Sequence, residues 1–152
     1  MHSLLDVLAF RYWLISLIVL FFKMGANSMV QGLHRFRSDS FDWPEDTRTF
    51  GRGTGAVARD QDAFERANRC WRNDLENIPI YLFLGLGFVL SGGLPFWAAL
   101  YFTVFTLARI AHTFFYLRGM QPWRTLAYSA GLVVSVALAV HLIVLLITVR
   151  PI

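Results

Sequence analysis

Three groups of polar side chains recur at helical spacing in an otherwise apolar chain. The first group holds Asn73 and four charged residues at i, i+4, i+7 and i+11, namely Glu65, Arg69, Arg72 and Glu76. The other two groups are Arg109, His112 and Tyr116, at i, i+3 and i+7, and Arg124, Thr125 and Tyr128. Side chains three or four residues apart share one face of a helix. Each group therefore predicts a helix with one face able to do chemistry.

These side chains would suit a ligand that carries several anionic groups. A guanidinium binds a carboxylate or phosphate through two parallel hydrogen bonds, whereas Glu76 would suit an ammonium and Asn73 an amide. Arg124, with Thr125 or Tyr128, could donate to a developing anion. A free thiol has a pKa near 8.5, and an adjacent guanidinium lowers it. A peptide with two carboxylates, an ammonium and a thiol, glutathione, meets every requirement, and a phospholipid headgroup remains an alternative.

The composition indicates a membrane protein. Of the 152 residues, 56% are hydrophobic and 16% charged, and the mean hydropathy is +0.49. A soluble domain is nearer one-quarter charged, and a single domain of this length could not bury so much apolar surface. The composition excludes an ordinary cytosolic enzyme and a disordered chain. The single cysteine, Cys70, excludes a disulfide scaffold.

The charged residues are concentrated in one segment. Residues 35–76 contain 17 of the 24 charged residues, and the chain has 13 arginines but one lysine, Lys23. Acids alternate with the arginines in this segment, so we expect no nucleic-acid partner. No set of cysteine, histidine and carboxylate residues has metal-ligand spacing, so we also expect no metal.

Four apolar segments predict an all-α integral membrane fold, a bundle of four transmembrane helices in one domain over 1–152. The expected spans are about 12–33, 62–90, 96–117 and 125–149. Ser91-Gly92-Gly93-Leu94-Pro95 predicts a tight turn between the second and third spans. We expect the second helix to begin near Asp62, within the polar segment, and Pro79 to be a potential kink.

Arginines in the connections predict the orientation. The connection over 34–64 is rich in arginine, and the third connection contains Arg118 and Arg124. The positive-inside rule places both in the cytosol, with the site at the cytosolic ends of the helices. The membrane would be the endoplasmic reticulum in a eukaryote or the inner membrane in a bacterium. The segment 51–55, Gly-Arg-Gly-Thr-Gly, lacks the Lys-Ser/Thr ending of a phosphate loop, so we interpret it as a flexible connection.

Two structural explanations compete with a ligand site. Arginines at helix ends extend to the membrane surface and tyrosines form aromatic belts, and ion pairs between helices could simply hold the bundle together. Arg109 and His112 lie inside the third span. Inserting a charged residue at the centre of a membrane helix costs about 2.5–3.5 kcal/mol, so ionisable residues at such positions are functional candidates by default. We therefore favour a ligand site over an internal ion-pair network.

Three motifs in order resemble the membrane-associated eicosanoid and glutathione metabolism (MAPEG) family. They are Pro-Glu-Asp (44–46), Arg-Asn-Asp-Leu-Glu-Asn (72–77) and Ala-Arg-Ile-Ala-His-Thr-Phe-Phe-Tyr-Leu (108–117). The likeness extends from about residue 23 to residue 129 and covers the glutathione transferase and prostaglandin E synthase branches. It implies a homotrimer that binds glutathione between neighbouring subunits.

The resemblance also implies residue roles. Its glutathione contacts fall on Arg35, Arg72, Asn73, Glu76, His112, Tyr116, Arg124 and Tyr128. Arg124 would stabilise the thiolate, Thr125 matches a hydroxyl proposed to act at the sulfur, and Asp46 matches an acid proposed for proton transfer in the prostaglandin branch. Arg69 and Arg109 match further basic positions around the pocket. Cys70-Trp71 departs from the Ala-His of both branches.

The expected function is a membrane-bound glutathione transferase or peroxidase that acts on a lipophilic electrophile or hydroperoxide from the bilayer. One alternative is a glutathione-dependent endoperoxide isomerase of the prostaglandin E synthase type. A second alternative is a non-enzymatic membrane scaffold or lipid-binding protein.

Overall fold

Four long helices and one short helix form the chain in a computed structural model. The structure describes residues 7–39, 41, 43–51 and 58–148. The helices are α1 (Leu8–Ser38), α2 (Pro44–Phe50), α3 (Ala58–Leu90), α4 (Pro95–Leu117) and α5 (Trp123–Thr148). Apart from Gly51, the glycine-rich segment 51–55 lies outside the described residues.

Three of these helices are long and apolar enough to cross a membrane: Leu8–Arg37, Pro95–Leu117 and Trp123–Thr148. Helix α3 has 33 residues, but its N-terminal half is charged and its uninterrupted apolar part begins only at Ile78. Pro79 lies inside α3 without ending it. The described residues are therefore all helical apart from short connections, and they include three candidate membrane spans.

A single buried stripe continues along α3 from its charged half into its apolar half. Its members recur every three or four residues: Ala67, Cys70, Asp74, Ile78, Tyr81, Gly85 and Phe88. This stripe packs α3 against α1 and α4, while α5 packs mainly on α4. At the centre of the core, the Tyr81 and Phe105 rings are stacked with centroids 3.5 Å apart. One polar residue, Asp74, thus faces inward on a helix whose other buried members are apolar or small.

The connections follow local sequence signals. Helix α3 ends at Leu90 and α4 begins at Pro95, and Gly92 adopts a positive φ of 78° in the turn between them. Helix α2 lies within the predicted connection over 34–64, where no helix was expected. It has Pro44 at its start and two acids, Glu45 and Asp46, in its first turn. Proline suits the first helical turn and acids suit its positive end. These features are the signal that could have revealed α2.

Candidate functional site

Arg124 and Tyr116 define one side of a polar cleft. The Arg124 guanidinium lies over the Tyr116 ring, 4.7 Å from its centroid, and both residues are half-buried. Tyr116 is near the end of α4 and Arg124 near the start of α5, so the turn between these helices brings them together. The cleft has a volume of about 400 Å³ and is lined by Asp62, Glu65, Arg66, Arg69, Tyr116 and Arg124.

Gln121 connects two of the predicted catalytic residues. A guanidinium has only donors, so the amide oxygen of Gln121 faces Arg124, whose Nε donates to it at 3.1 Å. The amide nitrogen then donates to Thr125 Oγ1 at 3.0 Å. Sequence reasoning missed Gln121. Its position three and four residues before Arg124 and Thr125 was the available signal.

His112 lies beneath two tyrosines from different helices. Its ring centroid is 5.4 Å from that of Tyr116 and 6.0 Å from that of Tyr128. His112 is only 2% exposed, and its Nδ1 has no hydrogen-bond partner within the described residues. His112, Tyr116 and Tyr128, which the family resemblance assigns to one site, therefore lie in one cluster, with the tyrosines half-buried above a buried imidazole.

A buried charge cluster lies where α1, α3 and α4 meet. Asp74 is fully buried and pairs with Lys23 of α1 and with Arg109 of α4, whose Nη2 donates to Asp74 Oδ1 at 2.9 Å. Arg109 is only 1% exposed, and its Nη2 also donates to Asn73 Oδ1 at 2.6 Å. Arg109 therefore does not line the cleft, and among the predicted site residues its hydrogen-bond partner is Asn73.

Sequence reasoning did not select Lys23 or Asp74 for the site. A single lysine within an apolar span is a known signal for a buried partner. The signal for Asp74 is its place on the inward stripe of α3, four residues before Ile78 and four after Cys70. The two buried cations and one buried carboxylate leave this cluster with one net positive charge.

The opposite face of α3 is exposed. Arg69 and Glu65 form an ion pair of 3.1 Å, and their side chains are 70% and 51% exposed. Arg72 and Glu76 are also exposed and form no hydrogen bond or ion pair with the described part of the chain. Exposed ion pairs add little stability, so packing within the described residues does not account for the charges on this face.

Arg35 and Asp46 line a different cleft. It has a volume of about 300 Å³ between the end of α1 and α2, and its polar lining includes Ser28 and Gln31. The Arg35 guanidinium lies 5.1 Å from the centroid of the Phe64 ring. Among the residues that the structure describes, none lines both this cleft and the one beside Arg124. A single chain thus brings together Arg69, His112, Tyr116, Arg124, Thr125 and Tyr128, but not Arg35 or Asp46.

The assembled groups are mostly donors and cations around one helix end. Arg124 offers a guanidinium whose orientation is set by an aromatic ring and an amide, and the nearby tyrosines offer hydroxyls. Such an arrangement stabilises negative charge on a bound ligand, and donors fixed before the reaction stabilise charge that develops during it.

Comparison with known proteins gives a consistent set of relatives. The sequence model of the MAPEG family matches residues 8–144. Microsomal glutathione S-transferase 1 from Homo sapiens is 40% identical over 124 residues, which is 80% of each chain. Prostaglandin E synthase from Equus caballus is 38% identical over 126 residues, which is 82% of this chain and 81% of the relative. The relatives thus include two differently named enzymes at similar identity.

Proposed function

The chain belongs to the MAPEG family, and from this membership we propose that it is a membrane-bound, glutathione-dependent transferase or peroxidase. Its similarity to microsomal glutathione S-transferase 1 supports glutathione as the co-substrate. In conjugation, the thiolate sulfur forms a bond to an electrophilic carbon and the leaving group departs with its electron pair. In peroxide reduction, the thiolate sulfur forms a bond to one peroxide oxygen, the O–O bond breaks, and the other oxygen leaves as the alcohol. A second glutathione thiol then attacks the resulting sulfenic acid, which gives the disulfide and water.

The orientation of Arg124 is the observation that carries this proposal. A thiol with an unperturbed pKa near 8.5 is only a few per cent ionised at neutral pH. A guanidinium placed beside the sulfur favours the thiolate. Arg124 is fixed by Tyr116 and Gln121 at the wall of the cleft before any ligand arrives. The Thr125 hydroxyl, held by the same Gln121, would act as a supporting donor at the sulfur.

The remaining site residues would hold the peptide. Arg72, exposed on α3, would bind a carboxylate, and Glu76, one turn further along the same face, would bind the ammonium. His112, Tyr116 and Tyr128 would contact the ligand from α4 and α5. Arg69 would contribute positive charge at the mouth of the cleft, which it lines with Arg124.

We place the complete site between subunits of a homotrimer. Arg35 and Asp46 lie in a cleft whose described lining residues differ from those of the Arg124 cleft, so a neighbouring subunit would bring the two together. The exposed face of α3, with Arg72 and Glu76, would then lie in the assembly. In this arrangement α3 is the fourth transmembrane helix, its charged half lies at the cytosolic side, and the membrane is that of the endoplasmic reticulum in a eukaryotic cell.

The electrophile would enter from the bilayer. Large apolar side chains on the spanning helices are exposed, among them Phe21, Phe22 and Ile147. A lipophilic substrate dissolved in the membrane would therefore reach the site laterally, while glutathione would enter from the aqueous side.

A direct test compares the wild type with Arg124→Ala in glutathione conjugation of a chloronitroaromatic and in reduction of a lipid hydroperoxide. We expect Arg124→Ala to lose at least about 100-fold in kcat/KM, the usual effect of removing a fixed charge-stabilising donor. Arg118→Ala is the matched control, because Arg118 also lies over a ring of α4, Phe114, at 4.5 Å, but outside the Arg124 cleft. If the wild type neither binds glutathione nor turns over, the enzyme assignment is wrong.

A second candidate function is isomerisation of a prostaglandin endoperoxide, supported by the 38% identity to prostaglandin E synthase. Asp46, half-buried beside Arg35 in the same cleft, would then serve in proton transfer. The variant Asp46→Asn separates the two candidates. Isomerase activity should fall by at least about tenfold on loss of the acid–base group, and glutathione conjugation should be unchanged.

A further inference from the structure

We propose, on the basis of the glutathione site inferred above, that Arg109 is a positioning residue that fixes the Asn73 carboxamide so that its nitrogen is presented to the ligand. Asp74 and Lys23 would in turn hold Arg109 in place. The buried charge cluster would thereby set which kind of ligand atom Asn73 can recognise.

The orientation of the carboxamide follows from the chemistry of arginine. Arg109 Nη2 lies 2.6 Å from Asn73 Oδ1 and 3.3 Å from the Asn73 carbonyl oxygen. A guanidinium can only donate hydrogen bonds, so the side-chain atom of Asn73 that it contacts must be the oxygen. A rotated amide would place two donors against each other. The contact therefore excludes the opposite orientation.

The Asn73 nitrogen is the atom left for a ligand. Its Nδ2 has no acceptor within the described residues, although Asn73 is half-buried. The backbone oxygen of Asn73 is already used by Asn77 Nδ2 at 2.7 Å and by Arg109. Asn73 thus offers two N–H donors, while its side-chain oxygen already accepts a hydrogen bond from Arg109. It would select an oxygen acceptor on the ligand, such as a peptide carbonyl or a carboxylate.

Asp74 and Lys23 restrict the movement of Arg109. Asp74 is fully buried and Arg109 is 1% exposed, so neither charge can leave its partner without a large desolvation penalty. Lys23, whose side chain is 8% exposed, shares the same carboxylate. Arg109 Nη2 contacts both Asp74 Oδ1 and Asn73 Oδ1, so the ion pair and the contact to Asn73 depend on the same end of the guanidinium. The buried Nε of Arg109 has no hydrogen-bond partner within the described residues.

The first test is the variant Asn73→Asp, measured as glutathione affinity by titration calorimetry on the detergent-solubilised assembly. A carboxylate still accepts from Arg109 but lacks the Nδ2 donor. We expect Asn73→Asp to weaken glutathione binding as much as Asn73→Ala, by roughly tenfold, because a site that loses one hydrogen bond to a bound polar group loses about that factor. Wild-type affinity in Asn73→Asp would overturn the proposal.

The second test is a double-mutant cycle with Arg109→Lys, which keeps the buried charge but replaces the planar fork. Arg109→Lys should weaken glutathione binding by about five- to tenfold when Asn73 is present and by less than about twofold in the Asn73→Ala background. The effect should fall on the glutathione Kd and KM, and kcat at saturating glutathione should stay near the wild-type value. Equal weakening in both backgrounds would mean that Arg109 does not act through Asn73.

Ser16→Ala is the matched control for a purely structural effect. Ser16 is buried and its hydroxyl forms a 2.6 Å hydrogen bond with Thr106, between α1 and α4. This variant should lower thermal stability while leaving glutathione affinity unchanged. If it weakens binding as Arg109→Lys does, the loss reflects general loosening and the proposal is wrong.

A ligand-free measurement separates this inference from the glutathione assignment. NMR of the 15N-labelled Asn73 side-chain amide should show an ordered group in the wild type and a mobile one in Arg109→Lys. If the amide is ordered but the protein does not bind glutathione, the proposed function is wrong and Arg109 still positions Asn73. A mobile amide in the wild type would overturn the positioning role itself.

Discussion

The guanidinium of Arg124 is stacked on the ring of Tyr116, with 4.7 Å between the guanidinium carbon and the ring centroid. The contact joins the end of α4 to the start of α5, and it places the charge of one helix on the aromatic face of the other. Tyr116 in turn contacts His112, which is buried one turn below. The position of the proposed activating charge therefore depends on Tyr116, whose ring is supported from below by His112.

Tyr116 should contribute mainly through its ring. Tyr116→Phe retains the ring beneath Arg124 and should keep most of the transferase activity. It loses only the hydroxyl contact to the ligand. Tyr116→Leu removes a cation–π contact of about 0.5–1 kcal/mol and lets Arg124 move. We expect kcat/KM for glutathione conjugation to be at least about threefold lower in Tyr116→Leu than in Tyr116→Phe. Equal activities would show that the ring does not position Arg124.

Gln121 should set the strength of Arg124 as an anion stabiliser. Gln121→Glu puts a carboxylate against the guanidinium, so part of its positive charge is neutralised and less is available to a thiolate. Gln121→Ala only removes the hydrogen bond that holds the Arg124 side chain and leaves its charge unchanged. We therefore expect activity to decrease in the order wild type, Gln121→Ala, Gln121→Glu, with about a tenfold loss in the last. Stopped-flow measurement of thiolate absorbance on glutathione binding should follow the same order. A Gln121→Glu protein as active as wild type would contradict this role.

The sequence was informative where local spacing decides the outcome. The spacing of His112 and Tyr116 predicted a shared helix face, and their rings are in contact. Spacing alone did not say which face of α3 turns inward. Arg72 and Glu76 are exposed, whereas the intervening Asp74 is buried. The inward face depends on how α3 is rotated against α1 and α4, which only the packing of all three helices determines.

The sequence pattern also did not predict which residues of distant helices form ion pairs. The sequence pattern gives Lys23 no partner, and the family resemblance makes Arg109 a basic residue around the pocket. In the structure they meet at Asp74, across sequence separations of 51 and 35 residues. Such pairs depend on the depth of each helix as well as on its rotation. The turn after Leu90, by contrast, depends on glycine and proline and was predictable.

Subunit exchange can test the shared site directly. Arg35→Ala and Arg124→Ala should each be inactive alone. If Arg35 of one subunit completes the site around Arg124 of its neighbour, co-expression of the two variants restores some sites with both arginines. Random mixing should then give roughly one-quarter of wild-type activity. A site within one chain would give none. Co-expression of Arg124→Ala with itself under two tags controls for expression level.

Asp74 should be the largest single electrostatic contributor to stability. Asp74→Asn leaves Lys23 and Arg109 buried against a neutral group, which should cost about 3–5 kcal/mol. Adding Lys23→Met removes one of the two cations and restores the net charge of the wild-type cluster. We expect apparent unfolding temperatures in detergent to fall in the order wild type, double variant, Asp74→Asn. A double variant less stable than Asp74→Asn would show that Lys23 stabilises the fold independently of the carboxylate.

Gly85 should be required for close packing of α3 against two other helices. A Cβ at this position would lie 2.5 Å from Phe102 Cε1 and 3.2 Å from Trp13 Cδ1, and Phe102 is itself buried in the core. Gly85→Ala should therefore destabilise the protein by about 1–3 kcal/mol, the usual cost of overpacking. Gly87→Ala is the matched control in the same helix, because its Cβ would meet only Leu142 Cδ2 at 3.4 Å. Alanine favours the helix by up to about 1 kcal/mol over glycine, so Gly87→Ala should be neutral or stabilising. Thermal unfolding of the two variants side by side provides the measurement, and a Gly85→Ala protein as stable as Gly87→Ala would show that α3 can move away from α4 at little cost.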